Sequence, residues 1–175
     1  AKSVSISKAK ATLKVDQSLS LNARVKPAAA NQQISWSSSN ARVASVDDSG
    51  LVSAHKRGTA VITARSINGK KAKCKLTVKQ PVMGVSLNQT EIALKRGKRR
   101  KMRFAIGPGN ANEKRVTWRS SNTAVANVSK KGVITAKKDG SCLITVRTRD
   151  GGFTAQAVVT VGNGIPLELP AGTPT

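Results

Sequence analysis

Apolar and polar residues alternate in short bursts along the chain. Val4-Ser5-Ile6, Leu19-Ser20-Leu21-Asn22-Ala23-Arg24-Val25 and Cys74-Lys75-Leu76-Thr77-Val78 are three of them. A period of two places alternate side chains on one face of a strand, with that face turned to a core. Gly, Pro, Asn, Asp and Ser separate the bursts, and no stretch sustains a helical period. Many short strands at this spacing predict an all-β sandwich or barrel. The pattern places strands near 3–7, 11–15, 18–26, 33–37, 43–46, 51–55, 59–67 and 71–79. A second set falls near 84–88, 92–95, 99–107, 115–119, 125–128, 133–137, 141–149 and 153–161. Asn68-Gly69 predicts a tight hairpin because both residues tolerate positive φ, and Asp150-Gly151-Gly152 stands in the same place with one more residue. Pro27 and Pro108 end the third long strand of each set, where a missing backbone donor does least harm.

The two sets are one module written twice. ISWSSSNARVASVDDSGLVSAHKRGTAVIT at 34–63 aligns without a gap on VTWRSSNTAVANVSKKGVITAKKDGSCLIT at 116–145. Trp36 meets Trp118, Asn40 meets Asn122, Gly50 meets Gly132 and Gly58 meets Gly140. Solenoid repeats run about 20–50 residues. A unit of roughly 80 residues is long enough to bury a small core of its own. The predicted division is residues 1–80, 81–162 and a Gly/Pro/Thr-rich tail or linker at 163–175. Ile165, Leu167 and Leu169 alternate, which leaves a short docked strand as a second reading of the tail. The join Lys79-Gln80-Pro81 is short and stiffened by proline, so a semi-rigid, elongated pair is expected.

Charge adds a partner class. The chain has 31 Lys+Arg against 8 Asp+Glu, a formal net charge of +23. Residues 1–80 hold 15 basic and 3 acidic residues (+12), and residues 81–175 hold 16 and 5 (+11). Such a field draws polyanions and says nothing about fold. With two Trp, two Phe and no Tyr, the aromatic platforms on which single-stranded nucleic acid stacks are scarce. No helix or aromatic-rich sheet offers itself to a groove, which argues against specific nucleic-acid binding.

Catalytic and metal signatures are missing. His55 is the one histidine, followed by Lys56 and Arg57, and no activated serine or cysteine motif accompanies it. Asp47-Asp48 sits at a turn, poorly placed for two-carboxylate chemistry. Cys74 and Cys142 occupy non-equivalent positions, matched by Ala157 and Ala60, and read as buried free thiols. No cofactor, metal site or enzyme activity is expected. No apolar run approaches the roughly 20 residues that span a membrane. The start at Ala1, inside a repeat, reads as an excised or processed fragment of a larger protein.

The motif Trp-x-Ser-Ser-Asn, then Val-Ala-x-Val, then Gly-x-(Val/Ile)-x-Ala, then Gly, resembles the bacterial immunoglobulin-like domain, group 2. It is met by Trp36, Ser38, Ser39, Asn40, Val43, Ala44, Val46, Gly50, Val52, Ala54 and Gly58. The second copy repeats it with Trp118, Ser120, Ser121, Asn122, Val125, Ala126, Val128, Gly132, Ile134, Ala136 and Gly140. Asp16 stands where the family commonly has the glycine that the second copy keeps as Gly97. The resemblance implies two tandem immunoglobulin-like β-sandwiches from an exported bacterial or phage protein, secreted or at the cell surface, with no catalytic residues. It also implies a structural or adhesive role, or that of a spacer beside a secreted carbohydrate-active enzyme.

An antiparallel sandwich is expected, in which successive loops alternate between two ends, and this locates the charge. Loops near 96–99, 119–124 and 137–140 are expected at one end of the second copy, far from the join. They gather Lys95, Arg96, Lys98, Arg99, Lys101, Arg119, Lys137 and Lys138 as candidate anion ligands. Arg100, in phase with Met102 and Phe104, is expected to point to the core edge. The candidate partners are acidic polysaccharide, teichoic acid or glycosaminoglycan; a charge run that only solvates its loop is the competing reading, and a nonspecific polyanion binder a third.

Overall fold

The computed structural model describes residues 2–170. The chain divides into two compact units, Ala1–Gln80 and Pro81–Thr175. Among the described residues of the first unit, the strands are β1 (Ser3–Ile6), β2 (Lys10–Lys14), β3 (Ser18–Ser20), β4 (Ala23–Lys26), β5 (Ile34–Ser38), β6 (Ala44–Val46), β7 (Leu51–Ala54), β8 (Gly58–Ser66) and β9 (Lys71–Lys79). The second unit repeats them as β10 (Gly84–Leu87), β11 (Glu91–Leu94), β12 (Arg99–Lys101), β13 (Phe104–Gly107), β14 (Val116–Ser120), β15 (Ala126–Val128), β16 (Val133–Ala136), β17 (Gly140–Thr148) and β18 (Thr154–Val161).

Each unit is a sandwich. A four-stranded sheet, β2-β9-β8-β5, faces a three-stranded one, β3-β7-β6, while β1 and β4 pair as a separate ribbon. The second unit has β11-β18-β17-β14, β12-β16-β15 and the ribbon β10-β13. Alternation does the burying: along β8, Ala60, Ile62, Ala64 and Ser66 point in. The first core joins Ile62, Cys74, Leu76 and Val78 of one sheet to Ala44, Val52 and Ala54 of the other. The second joins Ile92, Cys142, Ile144, Ala157 and Val159 to Met102, Ala126 and Ile134. Cys74 and Cys142 are buried free thiols in separate cores, and desolvation raises the pKa of both.

Three features depart from the sequence expectation. The long third strand is two strands: the chain leaves one sheet at Leu21 or Met102 and pairs elsewhere two residues on. Leu21 and Met102 are buried at that corner, where their N–H groups donate to the Gly50 and Gly132 carbonyls at 2.9 and 2.8 Å. In–out parity survives the switch, so the alternation hides it. The sandwich is also not wholly antiparallel, because β2 runs parallel to β9 and β11 parallel to β18. Finally, only Gly69 of the Asn68-Gly69 pair takes positive φ, at 79°. The loop spans residues 67–70, with Ser66 N–H donating to the Lys70 carbonyl.

The Ser-Ser-Asn motif is structural in both units. Ser38 Oγ donates to the Ala44 carbonyl at 2.6 Å and Ser120 Oγ to that of Ala126 at 2.6 Å. Each serine also accepts the N–H of Asn40 or Asn122, so it bolts the strand end to the following turn. Asp16 takes φ 68°, as Gly97 takes 76°; aspartate tolerates this left-handed geometry better than most residues. The two turns are therefore alike despite the changed residue. Residues 162–170 form no strand. The segment instead folds back on the sheet, with Ser141 Oγ donating to the Ile165 carbonyl.

Candidate anion-binding site

The Lys95–Lys98 turn follows β11 and feeds β12. Gly97 N–H donates to the Ala136 carbonyl at 2.9 Å, and Ala136 N–H donates to the Lys98 carbonyl at 3.0 Å. This fastens the turn beside Lys137 and Lys138. Those two lysines are placed in turn by the Val125 carbonyl, which accepts both their N–H groups at 2.8 and 3.2 Å. The turn after β11, the one after β14 and the one after β16 therefore share one end of the unit. β18 leaves at that end, where Gly162 N–H donates to the Leu94 carbonyl. The opposite end carries the hairpin at Asp150, whose carboxylate accepts the Val82 N–H.

Seven candidates lie along this end and down the adjoining edge strand: Lys95, Arg96, Lys98, Arg99, Lys101, Lys137 and Lys138. Within β12, Arg100 is in register with fully buried Ile134, while Arg99 and Lys101 are in register with Thr135 and Val133. Arg99 and Lys101 thus share the outward face, about 7 Å apart at ~3.3 Å per residue. Arg100 leans along the inner edge and its Nη2 donates to Gln89 Oε1 at 2.8 Å. The first unit has Leu19 at this place, packed on its core.

Arg119 does not join them. Its neighbour Trp118 is in register with buried Val146, so Arg119 faces outward beside Thr145. Thr145 is five residues along β17 from Gly140, roughly 16 Å at ~3.3 Å per residue. β14 is moreover the edge of its sheet opposite β11. Arg119 belongs to β14 itself and not to the loop that follows it.

Asp139 was not anticipated. It accepts a bond from Arg96 Nε at 2.7 Å, and that bond is the main reason its carboxyl titrates below the usual aspartate range. Arg96 is 65% exposed and Asp139 33%, so water and salt screen the pair and it adds little to stability. Arg96 is therefore partly spoken for, and the other six carry the free positive charge. A lone acid inside a basic loop was the available signal.

Elsewhere in this unit, Glu113 grips Arg115 in a fork, with Arg115 Nε 2.8 and 2.9 Å from its two oxygens. The carboxyl is held down at about 2. A depressed carboxyl pKa means the ion pair is complete above the ordinary value of 4.5 and is lost only as pH falls through about 2. A carbon-detected NMR titration should find that midpoint, and Arg115→Gln should return it toward 4.5; a wild-type midpoint near 4.5 would refute the fork.

In the first unit, His55 Nε2 lies 2.8 Å from Ser45 Oγ, a neighbour the sequence did not reveal. Both are on the surface, and among the described residues no carboxylate is bonded to the ring as a triad requires. Asp47 Oδ1 is engaged as a turn cap, accepting from Ser49 N–H, Ser49 Oγ and Leu51 N–H. Among the described residues no group of three His, Cys, Asp or Glu is placed to hold a metal, and no helix is long and apolar enough to cross a membrane.

The chain is similar to an uncharacterised protein of Clostridium acetobutylicum, 32% identical over 154 residues, or 86% of this chain and 16% of that protein. It is 32% identical over 165 residues to an Ig-like virion protein of Serratia phage KSP90, covering 90% of this chain and 64% of that one. A stretch of 77 residues is 44% identical to part of a kappa-carrageenase of Pseudoalteromonas carrageenovora, 43% of this chain and 19% of the enzyme. The chain thus spans less than two thirds of each of these relatives. The profile of the bacterial Ig-like domain (group 2) matches residues 1–76 and again 81–159. With both matches falling on the two sandwiches, the chain belongs to the bacterial Ig-like domain group 2 family and carries that domain twice.

Proposed function

We propose that the chain is a non-catalytic, structural or adhesive module of an exported bacterial or phage surface protein. The observation that carries this is the company the module keeps. It makes up a minor part of a carbohydrate-active enzyme and the larger part of a virion protein. A unit reused beside such different neighbours contributes a scaffold rather than a reaction. On that scaffold, Lys95, Lys98, Arg99, Lys101, Lys137 and Lys138 form a surface for an anionic polymer, with Arg96 joining if the polymer displaces Asp139. Arginine supplies forked contacts to carboxylate or phosphate, and lysine a mobile point charge. The partner class is acidic polysaccharide, teichoic acid or glycosaminoglycan. The carrageenase match favours a second reading, in which the units only space a carbohydrate-active domain from its neighbours.

A panel of immobilised polyanions at about 0.05 and 0.2 M salt separates these readings, because charge-driven binding weakens steeply over that range. The expected result is retention by one class of acidic glycan or wall polymer that survives the higher salt. Retention by none leaves the spacer reading, and equal retention by all, nucleic acid included, reduces the surface to bulk charge.

A further inference from the structure

A second basic site lies in the second unit, built from segments scattered through the sequence. Lys114 and Arg115 precede β14, Lys130 and Lys131 form the turn between β15 and β16, and Arg149 follows β17. Together with Phe104, Val116, Thr117 and Trp118 they line a cleft of about 370 Å³, within the usual ~300–1,000 Å³ of ligand sites. The first unit has Gln32, Gln33, Asp48, Ser49 and Ile67 at the five cationic positions. None is basic, although Trp36 matches Trp118. The scaffold did not require these charges, since one copy folds to the same plan without them.

The cleft's floor is also particular to this unit. Phe104, where the first unit has Ala23, packs edge-on against Trp118 with centroids 5.9 Å apart and planes 74° apart. Phe104 keeps 40% exposure. Five cations line the cleft, and Glu113 holds one of them, Arg115, in place. The cleft is separate from the Lys95–Lys98 turn. Val116 is in register with Thr148 near the Asp150 hairpin, whereas Lys98 bonds Ala136 at the other end.

We propose that this cleft binds a short stretch of acidic oligosaccharide. The C–H face of a sugar ring rests on the electron-rich aromatic face, while its carboxylate or sulfate is met by Arg149 and the paired lysines. A single-stranded nucleic acid wants successive stacking platforms along a groove, and a T-shaped pair does not supply them. This proposal does not depend on the loop-end surface, which the test keeps apart.

The chain has two tryptophans, so a proton–nitrogen NMR spectrum shows two indole N–H signals, assigned with Trp36→Phe. A tetragalacturonate and a sulfated tetrasaccharide are titrated in turn at about 0.15 M salt. The expected result is a saturable shift of the Trp118 signal with at least one of them, and a still Trp36 signal. Lys130→Asp with Lys131→Ser and Arg149→Ile, the first unit's own residues, should weaken binding at least about tenfold. Lys131→Ser alone should weaken it less. Lys10→Gln with Lys75→Gln, in the first unit and outside both basic sites, should leave the Trp118 response unchanged. A still Trp118 signal with both probes overturns the proposal. So does an equal response to neutral maltotetraose or to a ten-residue oligothymidylate, or undiminished binding by the triple variant with unaltered backbone signals.

Discussion

Gly50→Ala should lower the stability of the first unit by about 3 kcal/mol. Gly50 sits at φ 85° in the turn between β6 and β7, a conformation that costs a residue with a Cβ roughly 1–2 kcal/mol. The space is also taken: a Cβ here would stand 2.3 Å from the Leu21 carbonyl oxygen and 2.8 Å from the Trp36 ring. That oxygen is backbone at the sheet-switching corner and cannot swing aside, so an overpacking cost of about 1–3 kcal/mol is added. For a domain of this size the sum lowers the melting temperature by roughly 15 °C. Gly97→Ala separates the two terms. Its φ is 76°, but nothing lies within 4 Å of the added Cβ, so only the conformational cost of ~1–2 kcal/mol remains. Calorimetry on both variants checks this, and equal losses would show that the Trp36 contact is unimportant.

Ile144→Ala should cost the second unit about 2–5 kcal/mol. Ile144 is fully buried at the middle of β17. Its register partners are Ser120 on one side and Ala157 on the other. Fully buried Ala126, Ala136 and Ala157 belong to the same core and are too short to reach into the space that opens. The loss should therefore fall toward the upper part of the range. Urea unfolding would show a lowered midpoint with an unchanged slope, and a loss under about 1 kcal/mol would mean that the core collapses around the gap.

The framework of the fold was legible because burial in a sandwich follows a period of two, and the repeat supplied two readings of each strand. What escaped were features that alternation does not encode. Leu21 and Met102 end one pairing and begin another without changing which side chains point in. The parallel partners Leu13 and Val78 lie too far apart in sequence for any local pattern to join them. The same holds for the sites. Lys95 to Lys101 could be read as a cluster because they are contiguous. Arg119 was misplaced because strand phase gives a direction but not a height along the sheet. Asp139 was missed because its partner Arg96 is 43 residues away. The cleft lined by Lys114, Lys130 and Arg149 was missed because it is assembled from separate turns, although each of those residues differs from its counterpart in the first unit.

The two units share a scaffold, and the proposed binding resides where they differ. The most direct test is to give the second unit the first unit's residues at the loop end: Lys98→Gln, Arg99→Ser and Arg100→Leu, with Gly97 kept. A control removes three charges from the first unit instead, by Lys10→Gln, Lys71→Gln and Lys75→Gln, so both variants fall from +23 to +20. On an acidic-polysaccharide column developed with salt, the graft should elute well before the control, which should run close to the unaltered chain. Co-elution of the two variants would show that the chain responds to total charge alone and that the loop end has no binding role of its own.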